Sequence, residues 1–346
     1  MTYKIALNFE DGVTRVIDCD EDELVTEAAF RQRVNLPMDC RDGVCGTCKC
    51  FAEKGEYELE SYLEEAMTED EAEAGYVLTC QMTPQSDCVI RVPASSAVCK
   101  TGAETVAAQV VAVERLSDTS FSLRVRGEKA LPFLPGQYVH LSVPGTGETR
   151  SYSFSSAPGA AEASFLIRNL SGGVMSTYLA ERAAPGDPIA MTGPMGAFYL
   201  RPMARPQLWL AGGTGLAPFL SMLEQVAAEG CDQPIHLMYA VTRGADLVEL
   251  ERVTALAEAI GGVTVTTILA SQDEAHERKG FVTDHIAAAD LHGGEVDVYL
   301  CGPPPMVEAV RKHIAGLGTE VASFHYEKFA PSETNAGAAA TAEAAA

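Results

Sequence analysis

Basic residues are scarce in this chain of 346 residues: 25 Lys and Arg stand against 48 Asp and Glu, a formal charge of −23. Such a surface repels phosphate backbones and anionic headgroups, so nucleic acid and charged membrane faces are excluded as partners. Long apolar runs are missing too. No stretch approaches the roughly 20 residues a helix needs to cross a bilayer. The amino terminus lacks the charged and apolar regions of a secretory leader, so the cytoplasm is the expected compartment and a disulfide framework is not expected. A second C-x2-C pair, the usual mark of a structural zinc site, is also absent.

What the chain does have is ten cysteines. Four of them, Cys40, Cys45, Cys48 and the distant Cys80, are spaced C-x4-C-x2-C…C. This is the ligand pattern of a plant-type [2Fe-2S] cluster, a soft-metal centre that needs thiolates on a loop able to wrap it. Gly43 and Gly46 inside the loop permit left-handed turns and let amide N–H groups aim at sulfur. Cys19, Cys50, Cys88, Cys99 and Cys231 fall outside the spacing and read as small buried apolar residues.

Length and pattern together imply a multidomain chain. Residues 3–9 and 13–18 read as strands around a two-residue Asp11-Gly12 turn, and Glu23–Val34 as a helix ended by Pro37. With the cysteine loop and later strands, residues 1–98 form a small β-grasp unit of α+β type. Pro93–Ser96 begins a linker that runs through 99–104. Residues 105–204 carry short strand candidates at Thr105–Leu116, Ser120–Val125, Gln137–Val143, Arg150–Ser155 and Ala163–Asn169, with one helix at Val174–Arg182. That spacing favours an antiparallel barrel. Residues 205–329 alternate strand (Gln207–Ala211, Ile235–Val241, Val263–Leu269, Val296–Cys301) and helix, which implies an α/β unit with a mostly parallel sheet. Residues 330–346 are Ala-rich and read as disordered. The first 98 residues hold 21 of the acids but 8 of the bases. Their run from Glu53 to Glu73 reads as a solvated face or as a docking face for a basic partner.

Four further motifs carry chemistry. In Arg150-Ser151-Tyr152-Ser153 an Arg, a Tyr and a Ser are expected on one strand face, offering a cation, a ring to stack on a flat cofactor, and a hydroxyl. Arg168-Asn169 precedes Gly172-Gly173-Val174-Met175-Ser176, where small residues open a helix and present free N–H groups to an anion. Gly212-Gly213-Thr214-Gly215-Leu216-Ala217-Pro218 is a Gly-rich strand-to-helix turn of the nucleotide-binding kind. Cys301-Gly302-Pro303 lies at the C-terminal end of a later strand, where open α/β sheets bind ligands.

With these motifs the chain resembles the ferredoxin–NAD(P)H reductase superfamily. With its N-terminal ferredoxin region it is similar to the reductase components of benzoate-type and toluate-type dioxygenase systems. The likeness spans residues 1–329, including the stretches 93–100, 276–280, 293–300 and 327–329. It implies an FAD-binding barrel and an NAD-binding α/β domain. Tyr152 would then stack on the flavin, Ser153 would bond its N5 edge, and Arg150 would pair with pyrophosphate, with Arg168 also on the cofactor. Gly173, Val174, Met175 and Ser176 would hold phosphate. Gly213, Thr214 and Gly215 would approach the nicotinamide nucleotide, and Cys301 would lie beside its ring. Phe329 would cover the opposite flavin face and move aside for nicotinamide, and Glu327 would act near the flavin as a polar or proton-handling group.

The implied order is NADH, FAD, [2Fe-2S] cluster, then an external acceptor, because a hydride donor delivers electrons in pairs and the cluster takes one. A Rieske centre on an oxygenase would make the last step downhill, since Rieske potentials run from about −150 to +300 mV against about −400 mV for plant-type ferredoxins. A di-iron monooxygenase is the alternative acceptor, and a non-catalytic redox sensor a third reading that would need a module the chain does not show. Arg243 beside Asp246, near the second βα strand, is only weak evidence for a 2′-phosphate site, and the resemblance implies NADH over NADPH.

Overall fold

The computed structural model describes residues 1–100 and 103–329. Part of the expected linker and the expected disordered tail at 330–346 lie outside the described residues.

The first sheet pairs Thr2–Phe9 with Thr14–Asp20 as a hairpin and, on its other side, with Cys88–Val92 in parallel; Lys49–Lys54 and Tyr76–Leu78 complete it. The helix Val25–Arg31 lays Val25, Ala28 and Ala29 on this sheet. These features make it a β-grasp unit. Two local expectations need correction. Phe9 and Val13 close the hairpin, so the loop is Glu10–Gly12, three residues, with Gly12 at φ 77°. A three-residue loop with glycine in the left-handed position matches strand twist as well as a two-residue turn does. The helix also stops well before Pro37. Gln32 folds its amide back onto the carbonyls of Asp18 (2.6 Å) and Ala28 (2.9 Å), and Arg33 turns left-handed.

The second sheet is antiparallel and six-stranded, in the order Thr149–Ser153, Tyr138–Ser142, Pro188–Met195, Glu104–Ser117, Ser120–Gly127, Ala163–Arg168. Its two edges meet through a Phe154–Phe165 bridge and the Ser155 N–H to Ser164 carbonyl bond of 2.8 Å, closing it into a barrel. Alternate residues such as Leu123, Val125, Val139, Leu141, Phe165 and Ile167 fill the interior. The strand Pro188–Met195 has no counterpart among the sequence expectations, because its Pro and Gly residues mask the alternation.

The third sheet is wholly parallel, in the order Val263–Leu269, Ile235–Val241, Gln207–Gly212, Asp297–Gly302, Ser323–Lys328. Its central strands are buried throughout, as a sheet covered on both faces requires. The edge strand Ser323–Lys328 was not expected from the sequence. Every residue in it is half-buried, so it shows no period-two signal.

The β-grasp unit is tied to the other two. Pro93–Ser96, expected to open a linker, is held down: the Asp11 carboxylate accepts bonds from Ser95 and Ser96, and Ser95 N–H reaches the Tyr199 hydroxyl at 2.9 Å. Arg201 bonds Glu10 and the Pro93 carbonyl, both at 3.1 Å.

Candidate functional site

The cluster loop is shaped by close packing. Gly43 (φ 71°) and Gly46 (φ 75°) both turn left-handed, and a Cβ on either would stand within 2.9 Å of neighbouring backbone at Ser61 or Ala66. The turns bring the four thiols together. Cys48 and Cys80 sulfurs lie 3.2 Å apart in a small apolar nest with Ala66, Met67 and Leu78. Cys40 neighbours Cys45 and Cys80. Val44 N–H points at Cys40 sulfur and Thr47 N–H at Cys45 sulfur, each at 3.4 Å. Converging thiols met by amide donors are what a thiolate cluster needs, because the amides stabilise negative sulfur. Among the described residues no three metal-binding side chains surround a single ion position. A two-iron cluster spreads its four thiolates over two metals, so these cysteines fit it. Cys19, Cys50, Cys88 and Cys99 are buried in the β-grasp core, and Cys231 is half-buried against the third unit's core.

The strand Thr149–Ser153 lies on the barrel rim. Its register opposite Tyr138–Ser142 places Arg150 and Tyr152 on one face and Ser153 on the other, so the expected single face is corrected. Arg150 is held by Glu148 at 2.5 Å, and burial pushes the Tyr152 phenol up. The helix Val174–Glu181 opens at Gly173. Ser176 uses its hydroxyl locally, on the Leu170 N–H (2.9 Å) and the Arg168 carbonyl (3.3 Å), and Met175 is buried in the barrel core. What this end offers an anion is therefore the unpaired backbone N–H groups of its first turn. Arg168 itself is exposed at the strand's end.

In the third unit the chain leaves Gln207–Gly212 through the turn Gly213–Leu216 into the helix Ala217–Glu229. Gly213 has φ 56° and nothing within 4 Å of the place a Cβ would take, so this side of the turn faces open space. At Gly215 a Cβ would overlap the Cys301 carbonyl, so the turn sits directly on Cys301-Gly302. Thr214 between them is half-buried. Cys301 is fully buried, and burial, then the nearby Glu327, pushes its thiol up. Cys301 pairs across the sheet with Glu327, and Phe329 N–H bonds the Gly302 carbonyl at 2.8 Å. The Phe329 side chain packs against this unit's core.

The three units converge at Glu327. Ser153 Oγ of the barrel donates to its Oε2 at 3.1 Å. The residue keeps some solvent contact, yet burial of the carboxyl raises its pKa to about 8; the Ser153 bond opposes this, and the negative Asp39 adds to it. On the other side, His140 Nε2 lies 2.7 Å from Asp39 Oδ1, the residue before Cys40. Tyr138, directly across from Ser153, is buried with its hydroxyl among Asp39, Glu327, Cys45 and Thr47. Burial first, then the acidic neighbours Asp39, Glu327 and Cys45, hold its phenol well above the usual range. Tyr138, His140 and Asp39 were missed by sequence reasoning. Only docking of the cluster loop on the barrel gives them meaning, although Asp39 beside Cys40 was a local cue. A groove between Leu250–Ile260 and Val263–Leu269 lies away from all of these residues.

Family models match three successive segments: a 2Fe-2S iron-sulfur cluster binding domain at 8–85, an oxidoreductase FAD-binding domain at 107–199 and an oxidoreductase NAD-binding domain at 209–312. Fold, site and domains together define an iron–sulfur flavoprotein oxidoreductase using [2Fe-2S], FAD and a nicotinamide nucleotide. The chain is 55% identical over 96% of its length, and all of the relative's, to a toluate 1,2-dioxygenase electron transfer component of Pseudomonas putida. It is 46% identical over 97% of its length to the 2-halobenzoate counterpart of Burkholderia cepacia, again covering all of that protein. The chain belongs to this family of dioxygenase electron transfer components. A propane 2-monooxygenase reductase component of Rhodococcus jostii is 33% identical, over 94% of this chain and 91% of that one. Among solved structures, the Amycolatopsis cytochrome P450 reductase GcoB shares 31% identity with a TM-score of 0.71, over 94% of this chain and 99% of that one.

Proposed function

We propose that this protein takes electrons from NADH and delivers them, through FAD and its [2Fe-2S] cluster, to the Rieske-type oxygenase component of an aromatic-ring dioxygenase of the benzoate kind. The carrying observation is the junction just described, where Glu327 meets Ser153 on one side while Tyr138 and His140 meet the cluster loop on the other. When bound, FAD exchanges the two electrons of a hydride for single electrons, and the cluster carries one at a time.

The chain's own residues bind, orient and tune. Tyr152 would supply a ring to stack on the isoalloxazine, Ser153 a hydroxyl for it, and Arg150 and Arg168 cations for the phosphates. The N–H groups that follow Gly173, at Val174, Met175 and Ser176, would hold pyrophosphate. Gly213, Thr214 and Gly215 would admit the nicotinamide nucleotide beside Cys301, and Phe329 would lie over the flavin site. With its carboxyl pushed up to about 8, Glu327 holds a proton at neutral pH and keeps a negative charge away from the hydride path. Cys40, Cys45, Cys48 and Cys80 hold the cluster. Arg243 is gripped by Asp246 through two bonds of 3.2 Å, so the one cation near the second βα strand is already paired with a carboxylate. That pairing favours NADH. Ten free cysteines suit a reducing cytoplasm.

The 33% identity to a monooxygenase reductase supports a second reading, with a di-iron hydroxylase as acceptor. The 55% relative weighs for the first. An anaerobic NADH titration followed in the visible spectrum tests the core of both. Bleaching of flavin and cluster bands together is expected; a cluster that stays oxidised would overturn the internal route. Turnover with a purified Rieske oxygenase against a di-iron hydroxylase then separates the two.

A further inference from the structure

The acidic run Glu53–Glu73 is not uniformly a solvated face. Glu69, Asp70 and Glu73 are exposed, but Glu71 between them is 7% exposed. Its carboxylate is the centre of a charged network that crosses from the β-grasp unit to the α/β unit. Oε2 receives Lys49 Nζ at 2.6 Å and the Thr68 N–H at 3.0 Å, and Oε1 receives Arg311 Nη2 at 2.7 Å. Lys49 Nζ also donates to the Tyr326 hydroxyl at 3.0 Å. The Lys49 and Arg311 cations stand 5.7 and 5.4 Å from the centre of the Tyr326 ring.

The neighbours in sequence give this network its significance. Lys49 follows the ligand Cys48, and Tyr326 precedes Glu327. Side chains alternate along a strand, so Ser323–Lys328 turns Tyr326 to the cluster unit while Glu327 turns to Ser153 on the barrel. Lys328, again on the first side, donates to the Glu65 carbonyl and pairs with Glu308 at 3.0 Å. One strand therefore touches both redox sites.

We propose that Glu71 is a positioning residue for electron transfer: through Lys49, Arg311 and Tyr326 it clamps the cluster loop to the strand that carries Glu327 and so sets the gap between flavin site and cluster. This rests on the function proposed above. A buried charged network adds little net stability, because desolvation offsets attraction. Its charge-assisted bonds are directional, however, so it holds geometry well. Take the carboxylate's charge away and two cations face each other across the interface, and their repulsion loosens it. Electron transfer falls steeply with separation, so loosening this contact slows the step between flavin site and cluster.

The test is a double-mutant cycle on the full protein with Glu71→Gln and Arg311→Gln. Glutamine can keep the bond to Thr68 N–H, since the capping box accepts it. After rapid mixing with NADH, each variant is expected to slow flavin-to-cluster transfer about tenfold, non-additively in the double variant. Ferricyanide reduction from the flavin and the cluster's EPR signal stay as in the wild type. Hydrogen exchange of 323–328 rises in both variants. Unchanged transfer rates, unchanged exchange, or cluster loss in Glu71→Gln with a wild-type Arg311→Gln would each overturn the clamp. A wild-type cluster that NADH fails to reduce would instead overturn the functional reading, and the exchange comparison would still decide the clamp.

Discussion

Replacing Glu327 with glutamine should make the protein more stable and flatten its response to pH. The carboxyl is raised from 4.5 to about 8 in the folded chain, burial being the main cause. Below the unfolded value both states hold the proton and the group contributes nothing to the pH dependence. Between the two values the unfolded chain releases the proton and the folded chain keeps it, so folding stability falls as pH rises. Above the folded value both are ionised and the loss levels off. Relative to Glu327→Gln, the wild type should lose about 2.3 kcal/mol between about pH 6 and pH 8, from roughly 1.4 kcal/mol per pH unit with flattening near the folded value. The single tryptophan, Trp209, is fully buried in the same parallel sheet and reports its unfolding. Urea midpoints from its fluorescence, taken across that range for both proteins, give the difference directly. A difference that is flat, or that favours the wild type as pH rises, would mean the native carboxyl is ionised, and the proton assigned to it would have to be withdrawn. The rate of flavin reduction by NADH should carry the same inflection near pH 8 and lose it in the variant.

Cys45→Ser should leave hydride transfer to the flavin intact, read with ferricyanide, and abolish cytochrome c reduction; undiminished cytochrome c reduction would refute the route through the cluster. Phe329→Ala should bring kcat/KM for NADPH closer to that for NADH, and an unaltered ratio would remove Phe329 from the flavin face. Gly215→Ala places a methyl against the Cys301 carbonyl, so it should cost about 1–3 kcal/mol of packing strain. A raised KM for NADH with unchanged ferricyanide KM is the expected signature, and wild-type kinetics would show that the turn can shift freely.

Much of this protein was determined by local sequence. The four cysteines at their spacing, with Gly43 and Gly46 between them, specify the cluster loop because ligand chemistry and left-handed backbone both act within a few residues. The parallel sheet was legible from its buried strands, since burial on both faces demands unbroken apolar runs. The Gly212–Pro218 turn was legible as the Gly-rich passage from strand to helix. What lay beyond sequence were contacts whose partners are distant in the chain. Ser323–Lys328 is uniformly half-buried and shows no period, so the strand that carries Glu327 could not be seen. Ser153 joined Arg150 and Tyr152 in the motif, but strand alternation turned it to the opposite face, where it meets Glu327. Tyr138 and His140 look like ordinary strand residues until the cluster loop is docked on them. Glu71 is one acid among many until Lys49 and Arg311 close on it from two units. Spacing within a loop is set by covalent geometry and can be read along the chain, whereas burial and charge pairing depend on which surfaces the fold brings together.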